Sequence, residues 1–198
     1  MTQRNVHLPM RKHASSGFTI VELLIVIVVI GILAAITIVA YNGIQDRTKN
    51  SQTTAAVTAW IKALEMYRAD NGRFPSGWVC LGEGYKYGVS GTDSSGAAQC
   101  RQDSIGYTVN SSFNANMAPY ISSPLPTPAF VTAVSNTGDW RRGLMYAYGG
   151  GGDGTLVYID ATYAGILSSC PVAGGKSATR RTVWNGNTFC GYDIGTTS

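Results

Sequence analysis

Glu22 is a candidate reactive group because it is an acid inside an otherwise apolar run of side chains. A carboxylate at the centre of a bilayer costs about 2.5–3.5 kcal/mol on insertion scales, and less near the end of a membrane-spanning helix. Glu22 therefore needs a partner, unless its carboxylate simply reaches the membrane surface. A cut after Gly17 would supply one, because it would leave a free amine on Phe18, one helical turn from the carboxylate. We expect Gly17, Phe18 and Glu22 to act together.

The apolar run is long enough to cross a membrane. Residues 23–40 contain 18 positions with no charge and one hydroxyl, at Thr37, and the run counted from Phe18 has 23 residues. About 20 apolar residues span the hydrocarbon core as a helix. A buried core helix that is apolar on every face would need a larger protein around it. A cleaved secretory signal would need an Ala-x-Ala-like site, and residues 37–43 offer no good one. We predict a membrane helix.

A motif surrounds the start of this run. A basic leader ends in Gly17, followed by Phe18, Thr19 and then Glu22 at the head of the apolar residues. This pattern, strongest over residues 12–41, resembles the type III signal of type IV prepilins. A weaker similarity to the helix end of many pilins and pseudopilins covers residues 67–75. Beyond these residues the chain carries no motif that resembles the family.

The resemblance implies a route of processing and assembly. A prepilin peptidase would cut between Gly17 and Phe18 and methylate the new amine, and Glu22 would pair with the Phe18 amine of a neighbouring subunit. Outside lipid, a helix that is apolar all round must bury itself against copies of itself, and head-to-tail stacking that does not close gives a helical filament. Pilins often carry proline where this chain has Val39. Whether the helix stays continuous in a filament is therefore left open.

The four cysteines, Cys80, Cys100, Cys170 and Cys190, all follow the apolar run. An even number in two equally spaced pairs suits a disulfide framework on the oxidising side of a membrane. Of three connectivities we expect the sequential one, because each bridge then closes a local loop and contributes about 3 kcal/mol. Reduced thiols are the alternative. A zinc site is not expected, because the chain has no Cys-x-x-Cys and both histidines lie in the leader.

Few side chains could carry catalysis in a processed chain. His7 and His13 lie in the leader, so cleavage would remove any Ser-His-Asp or Cys-His arrangement. Aspartates among the C-terminal strands and turns have an ordinary structural explanation: Asp139, Asp153, Asp160 and Asp193. The glycine run 149–154 lacks the Lys-Ser/Thr of a phosphate loop, and we interpret Asp153 as a turn residue rather than a calcium ligand. We predict no enzyme activity, no cofactor and no metal site.

Net charge indicates little about partners. The formal charge is +4, but three of the 15 basic residues precede the apolar run. Without these three, 12 basic residues remain against 11 acidic residues. Two clusters of basic and aromatic side chains could form a surface for single-stranded DNA: Trp140, Arg141 and Arg142, and Lys176, Arg180, Arg181 and Trp184. We prefer the alternative that these charges protect a sheet edge.

The predicted fold is α+β, in four segments. Residues 1–17 form the leader, 18–41 the membrane or filament-core helix, 42–72 its amphipathic continuation, and 73–198 a β-rich head stapled by disulfides. The amphipathic part carries an apolar stripe at helical spacing: Val57, Trp60, Ile61, Leu64 and Tyr67. Asn71-Gly72, with Pro75 beyond, predicts where the helix ends. We expect the helix to pack on a small antiparallel sheet.

The β signals of the head lie mainly in its second half. Runs 144–148 and 155–160, on either side of the glycine run, predict one hairpin, and runs 181–184 and 188–192 predict another. Residues 76–118 are rich in glycine, serine and asparagine, and we expect mostly loop. Four prolines in residues 119–128 predict an extended connector.

These expectations give one functional hypothesis and two alternatives. The first is a pilin that leaves the cytoplasmic membrane, where it is a single-pass protein, to form an extracellular filament for adhesion, motility or DNA uptake. Its partners would be copies of itself, prepilin peptidase and the pilus assembly machinery, with a host or neighbouring cell surface and DNA as further candidates. A pseudopilin of a type II secretion or competence system is the nearest alternative. A signal-anchored binding domain that never polymerises would instead keep its leader.

Overall fold

The computed structural model describes residues 18–85, 98–102, 107–152 and 154–197. The leader 1–17, which includes Gly17 and both histidines, and Asp153 lie outside the described residues. A helix, α1, covers Ile20–Asn71. The chain divides after Asn42 into two compact units, and each is described by itself.

In the second unit, α1 supplies the centre of the core. Val57, Trp60, Ile61 and Leu64 are fully buried, which confirms the apolar stripe predicted at helical spacing, and Tyr67 is half-buried. The Trp60 indole N–H donates to the carbonyl of Pro126 at 2.9 Å, so the ring is buried with its polar atom satisfied. The helix ends as predicted. Gly72 adopts a φ of 71° and donates its N–H to the carbonyl of Arg68 at 2.8 Å.

A second helix and nine strands follow α1 in the described residues. They are β1 (Trp78–Cys80), β2 (Gln99–Gln102), β3 (Tyr107–Thr108), α2 (Ser111–Met117), β4 (Thr132–Val134), β5 (Trp140–Arg142), β6 (Leu144–Gly150), β7 (Leu156–Tyr163), β8 (Arg180–Trp184) and β9 (Asn187–Thr196). The strands form one sheet in the order β4-β5-β2-β3-β1-β6-β7-β9-β8. Both predicted hairpins, β6–β7 and β8–β9, are confirmed.

The α+β fold is confirmed, but the sheet is larger than the sequence predicted and it is mixed. Strand β1 pairs in parallel with β3, whereas the other pairs are antiparallel. Residues 76–118, expected to be mostly loop, contain β1, β2, β3 and α2. These strands have two to four residues each, too few for a period-2 pattern to stand out, and pairing within the sheet holds them in place.

The sheet has an apolar cluster on each face. Successive residues of a strand point to opposite faces. In β6, Leu144 and Tyr146 belong to the cluster that includes the buried stripe of α1. Met145 and Ala147 belong to a second cluster, which surrounds the buried Cys80 and Cys100. The helix therefore covers one face of the sheet, and the other face has a smaller core of its own.

Candidate functional site

Thr19 and Glu22 form a reciprocal cap at the start of α1. The backbone N–H and the hydroxyl of Thr19 both donate to Oε2 of Glu22, at 2.8 and 2.7 Å. The backbone N–H of Glu22 donates to Oγ1 of Thr19 at 3.3 Å. This capping box satisfies backbone donors that the first turn of a helix leaves without partners. Thr19 is part of the sequence motif, but its capping role was not predicted, although the pattern Thr-x-x-Glu before an apolar run is a sign of such a cap.

The helix behind this cap presents apolar side chains on all sides. Residues Ile20–Thr37 are long and apolar enough to cross a membrane, and none of them is buried within the chain. Phe18, directly before the cap, is 81% exposed. This apolar surface therefore has to be covered by something outside the chain.

The structure joins Cys80 to Cys100 and Cys170 to Cys190, which is the sequential pairing, with Cα separations of 5.6 and 5.9 Å. The first bridge connects β1 to β2 across β3, which lies between them in the sheet. The second connects the loop after β7 to β9. The first disulfide thus links two strands of the sheet, and the second ties an irregular segment of the head to the sheet.

Comparison with known proteins identifies the N-terminal motif. Residues 12–38 match the family model of the prokaryotic N-terminal methylation motif. The chain is 36% identical over 67 residues to type II secretion system core protein G of Klebsiella michiganensis and of Aeromonas hydrophila. It is 39% identical over 67 residues to the type IV wide pilus major component PilA4 of Thermus thermophilus.

Over about a third of its length the chain is therefore similar to type IV pilins and pseudopilins, and it carries their N-terminal methylation motif. The matched stretch covers 34% of this chain, 47% of the two secretion proteins and 51% of PilA4. The chain therefore spans about half the length of the curated relatives that it matches. No solved structure matches it. The motif match contains the capping box and the first apolar residues of α1.

An open apolar groove with a volume of about 1000 Å³ runs along α1. One wall is the helix between Arg47 and Lys62, and the other contains Leu167 and Pro171. Apart from Arg47, Asn50 and Lys62, the side chains on the helix wall are small: Ser51, Thr54, Ala55, Thr58 and Ala59. Small residues at four-residue spacing let another helix approach the backbone closely.

Two of the aspartates singled out in the sequence meet on one arginine. Arg180 contacts Oδ1 of Asp160 at 3.2 Å and Oδ1 of Asp193 at 2.9 Å. Gly191 leaves the space for this arrangement, since a Cβ there would lie 2.7 Å from the Asp160 carboxylate. Asp160 is only 3% exposed, and this burial raises its pKa to about 6 although Arg180 acts in the opposite direction.

The Arg180 cluster joins β7, β8 and β9 and has the features of a structural ion pair. Asp139 does not belong to it, because its carboxylate accepts a hydrogen bond from the Thr137 hydroxyl at 3.0 Å. In the described part of the chain, no three histidine, cysteine, aspartate or glutamate side chains come together as ligands for a metal ion.

The structure brings together only part of the basic and aromatic residues considered for DNA binding: Arg141, Arg180 and Trp184 line one cavity, which Asp160 also lines. The Arg141 guanidinium lies 4.7 Å from the ring centre of Trp184, whereas that of Arg142 lies 4.9 Å from Phe130. Lys176 forms an ion pair with Glu65 at 3.1 Å, and Arg181 donates to the carbonyl of Leu167. Strand β8, which carries Arg180 and Arg181, lies at the edge of the sheet. This position agrees with the preferred interpretation of a charged edge for the second cluster. The first cluster lies on β5, which is an inner strand of the sheet.

Proposed function

We propose that this chain is the structural subunit of a type IV pilus. In this proposal prepilin peptidase cuts between Gly17 and Phe18 and methylates the amine of Phe18, and the processed chain polymerises with copies of itself. The observation that carries the proposal is the capped helix Ile20–Thr37, whose apolar side chains are exposed on every side. The similarity to a major pilus component supports the pilus as the product.

Assembly would replace lipid by protein around the apolar helix. Before assembly the helix would lie in the cytoplasmic membrane, with the head and its two disulfides on the oxidising side. In the filament the apolar helices would form the core and the heads the coat. The groove on α1 supports this arrangement, because its small side chains, such as Ser51, Ala55 and Ala59, would admit a helix of a neighbouring subunit.

A pseudopilin of a type II secretion system is the second candidate. The similarity to core protein G of two organisms favours it, and the proposed cut, membrane helix and polymerisation would be the same. The two candidates differ in the length and abundance of the filament. Long filaments that contain this chain and can be sheared from cells would support the pilus. Subunits found only in the cell envelope would support the pseudopilin.

Substitutions of Glu22 test the proposed pairing with the Phe18 amine of a neighbour. Glu22→Gln keeps a side chain that can complete the capping box but removes the charge, and Glu22→Ala removes both. We expect both variants to insert and be processed, and both to yield about tenfold less sheared filament, because each lacks the charge. Immunoblots of the sheared and membrane fractions measure how much of each variant is assembled into filaments.

Thr19→Val is the matched control, because it removes the hydroxyl of the cap and leaves the carboxylate of Glu22. We expect its filament yield to stay close to that of the wild type. Wild-type yield from Glu22→Gln would contradict the pairing and would leave Glu22 with a capping role only. A loss in Thr19→Val and Glu22→Ala but not in Glu22→Gln would assign the defect to the cap.

A further inference from the structure

A second cavity lies at the C-terminal end of α1, and its volume is about 300 Å³. One side is formed by Tyr67 of the last helical turns and by residues 73–76, and another by the short helix α2 with its cap residue Asn110. Tyr148 of β6 completes the wall. Neither the proposed cleavage nor the proposed polymerisation uses this cavity.

The rim of this cavity carries four polar side chains that point to a polar ligand. Arg73, Ser76, Ser112 and Asn116 are exposed and line the cavity. Within the described residues, none of these side chains donates or accepts a hydrogen bond. They provide donors and acceptors for several groups of a ligand at once.

Aromatic rings form the rest of the wall, and they are held in place. Phe74 and Phe113 are buried beneath the cavity. Tyr67 packs edge-on against Tyr120, with 5.4 Å between ring centres, and the Tyr148 hydroxyl donates to the carbonyl of Thr197 at 3.0 Å. A ligand would thus meet fixed apolar faces, with little ordering left to be done on binding.

Arg73 gives the cavity its charge. It lines the cavity together with polar and aromatic side chains, and no aspartate or glutamate is among the described residues of the wall. A guanidinium binds a carboxylate with two parallel hydrogen bonds. A single cation in a cavity of about 300 Å³ suits a small ligand with one negative charge. It does not suit a polyanion, which needs a track of cations.

We propose that this cavity binds an acidic saccharide, a single sugar ring that carries one carboxylate. Arg73 binds the carboxylate, the hydroxyl and amide groups of Ser76, Ser112 and Asn116 bind ring hydroxyls, and the tyrosine rings contact the apolar face of the sugar. This inference goes beyond polymerisation and does not depend on it. It assigns the head a binding surface for acidic glycans.

The test uses the full chain in dodecylphosphocholine micelles, a detergent without a sugar headgroup. Methyl β-D-glucuronide is titrated by ligand-observed NMR, with methyl β-D-glucoside as the uncharged counterpart. We expect saturable binding of the glucuronide and about tenfold weaker binding of the glucoside, because the glucoside lacks the charge-assisted pair with Arg73.

Two matched pairs of variants locate the site. Ser112→Tyr places a ring in the cavity, whereas Ser111→Tyr adds the same ring at the preceding, exposed position of α2, outside the cavity wall. Arg73→Gln removes the cation of the cavity, whereas Arg47→Gln removes an exposed arginine of the other groove. We expect Ser112→Tyr to abolish binding and Arg73→Gln to weaken it about tenfold, with both controls unchanged.

Three outcomes would overturn the proposal. These are the absence of saturable glucuronide binding, unchanged binding by Ser112→Tyr, and equal affinity for the two glycosides. A short single-stranded oligonucleotide is titrated in parallel. If Ser112→Tyr abolished its binding while the glucuronide did not bind, the cavity would be a nucleic-acid site. Circular dichroism of each variant shows whether the fold is retained, and the filament yield of Ser112→Tyr reports on the proposed function separately.

Discussion

Glu22 combines a role inside its own chain with a proposed role between chains. Its carboxylate accepts two hydrogen bonds from Thr19, so the acid is not left alone at the start of an apolar helix even before a neighbouring amine is present. The charge of Glu22 was evident from the sequence, because an acid in such a run is costly. Thr19 was not singled out, because a threonine is unremarkable until its spacing from Glu22 is read as a cap.

Asp160 makes the stability of the head depend on pH. Burial raises the pKa of this carboxyl from 3.8 to about 6. Between about pH 4 and pH 6 the folded chain therefore keeps a proton that the unfolded chain releases. The free energy of unfolding falls as the pH rises through this window, by at most about 3 kcal/mol, and this contribution is constant above it.

Asp160→Asn removes this titration, so we expect its unfolding free energy to lack the decline between about pH 4 and pH 6. Urea unfolding of both proteins in micelles at a series of pH values measures the difference. Asp139→Asn is the control, since it removes an aspartate from a turn, and it should keep the wild-type slope. The prediction would be contradicted if the unfolding free energies of wild type and Asp160→Asn changed in parallel with pH.

Some helices and strands have a clear pattern in the sequence and others do not, and this difference explains which elements of the fold could be predicted. The second half of α1 was predictable from Trp60, Leu64 and their neighbours, which recur at helical spacing. The two C-terminal hairpins were predictable from β-prone runs around glycine turns. Strands β1 to β3 could not be found in this way. Each is too short to show a period, and β2 is polar along most of its length. Its place depends on partners distant in sequence, among them Cys80.

Replacement of the two disulfides by pairs of serines should destabilise the head unequally. Each bridges residues 20 apart, and the loop-entropy model therefore assigns about 3 kcal/mol to both. Cys80 and Cys100 are both fully buried, whereas Cys170 is half-buried and only Cys190 is fully buried. A serine at a buried position adds the cost of an unsatisfied hydroxyl, about 1–3 kcal/mol.

We therefore expect the double variant Cys80→Ser/Cys100→Ser to lose about 1–3 kcal/mol more unfolding free energy than Cys170→Ser/Cys190→Ser. Urea unfolding of the two variants measures this difference. The corresponding double alanine variants are the control, because alanine has no hydroxyl. The difference in lost unfolding free energy should be smaller between the two alanine variants than between the two serine variants. An equal loss in the two serine variants would show that loop closure alone determines the contribution of each bridge.

In the whole molecule, the N-terminal features could be found from the sequence, whereas the cavity in the head could be found only from the structure. The predicted membrane segment, the proposed cut and the resemblance to pilins rest on contiguous residues, so the sequence was sufficient to suggest them. The saccharide cavity was not predictable in that way. Its wall combines the end of α1, the cap of α2 and Tyr148 of β6, and nothing in the separate stretches indicates that they meet.

The proposed maturation can be checked by one measurement on the whole molecule. We expect the intact, unreduced mass of chains sheared from cell surfaces to begin at a methylated Phe18. Because each disulfide removes two hydrogens, the mass should also be four hydrogens short of the reduced value.

Gly17→Leu, which places a bulky side chain at the proposed cut, is the comparison and should leave an unprocessed chain in the membrane fraction. A full-length mass from Met1 found only in membranes would contradict cleavage and polymerisation together. The exposed apolar surface of Ile20–Thr37 would then have lipid as its permanent cover, and the chain would be a signal-anchored binding domain whose head still carries the saccharide cavity.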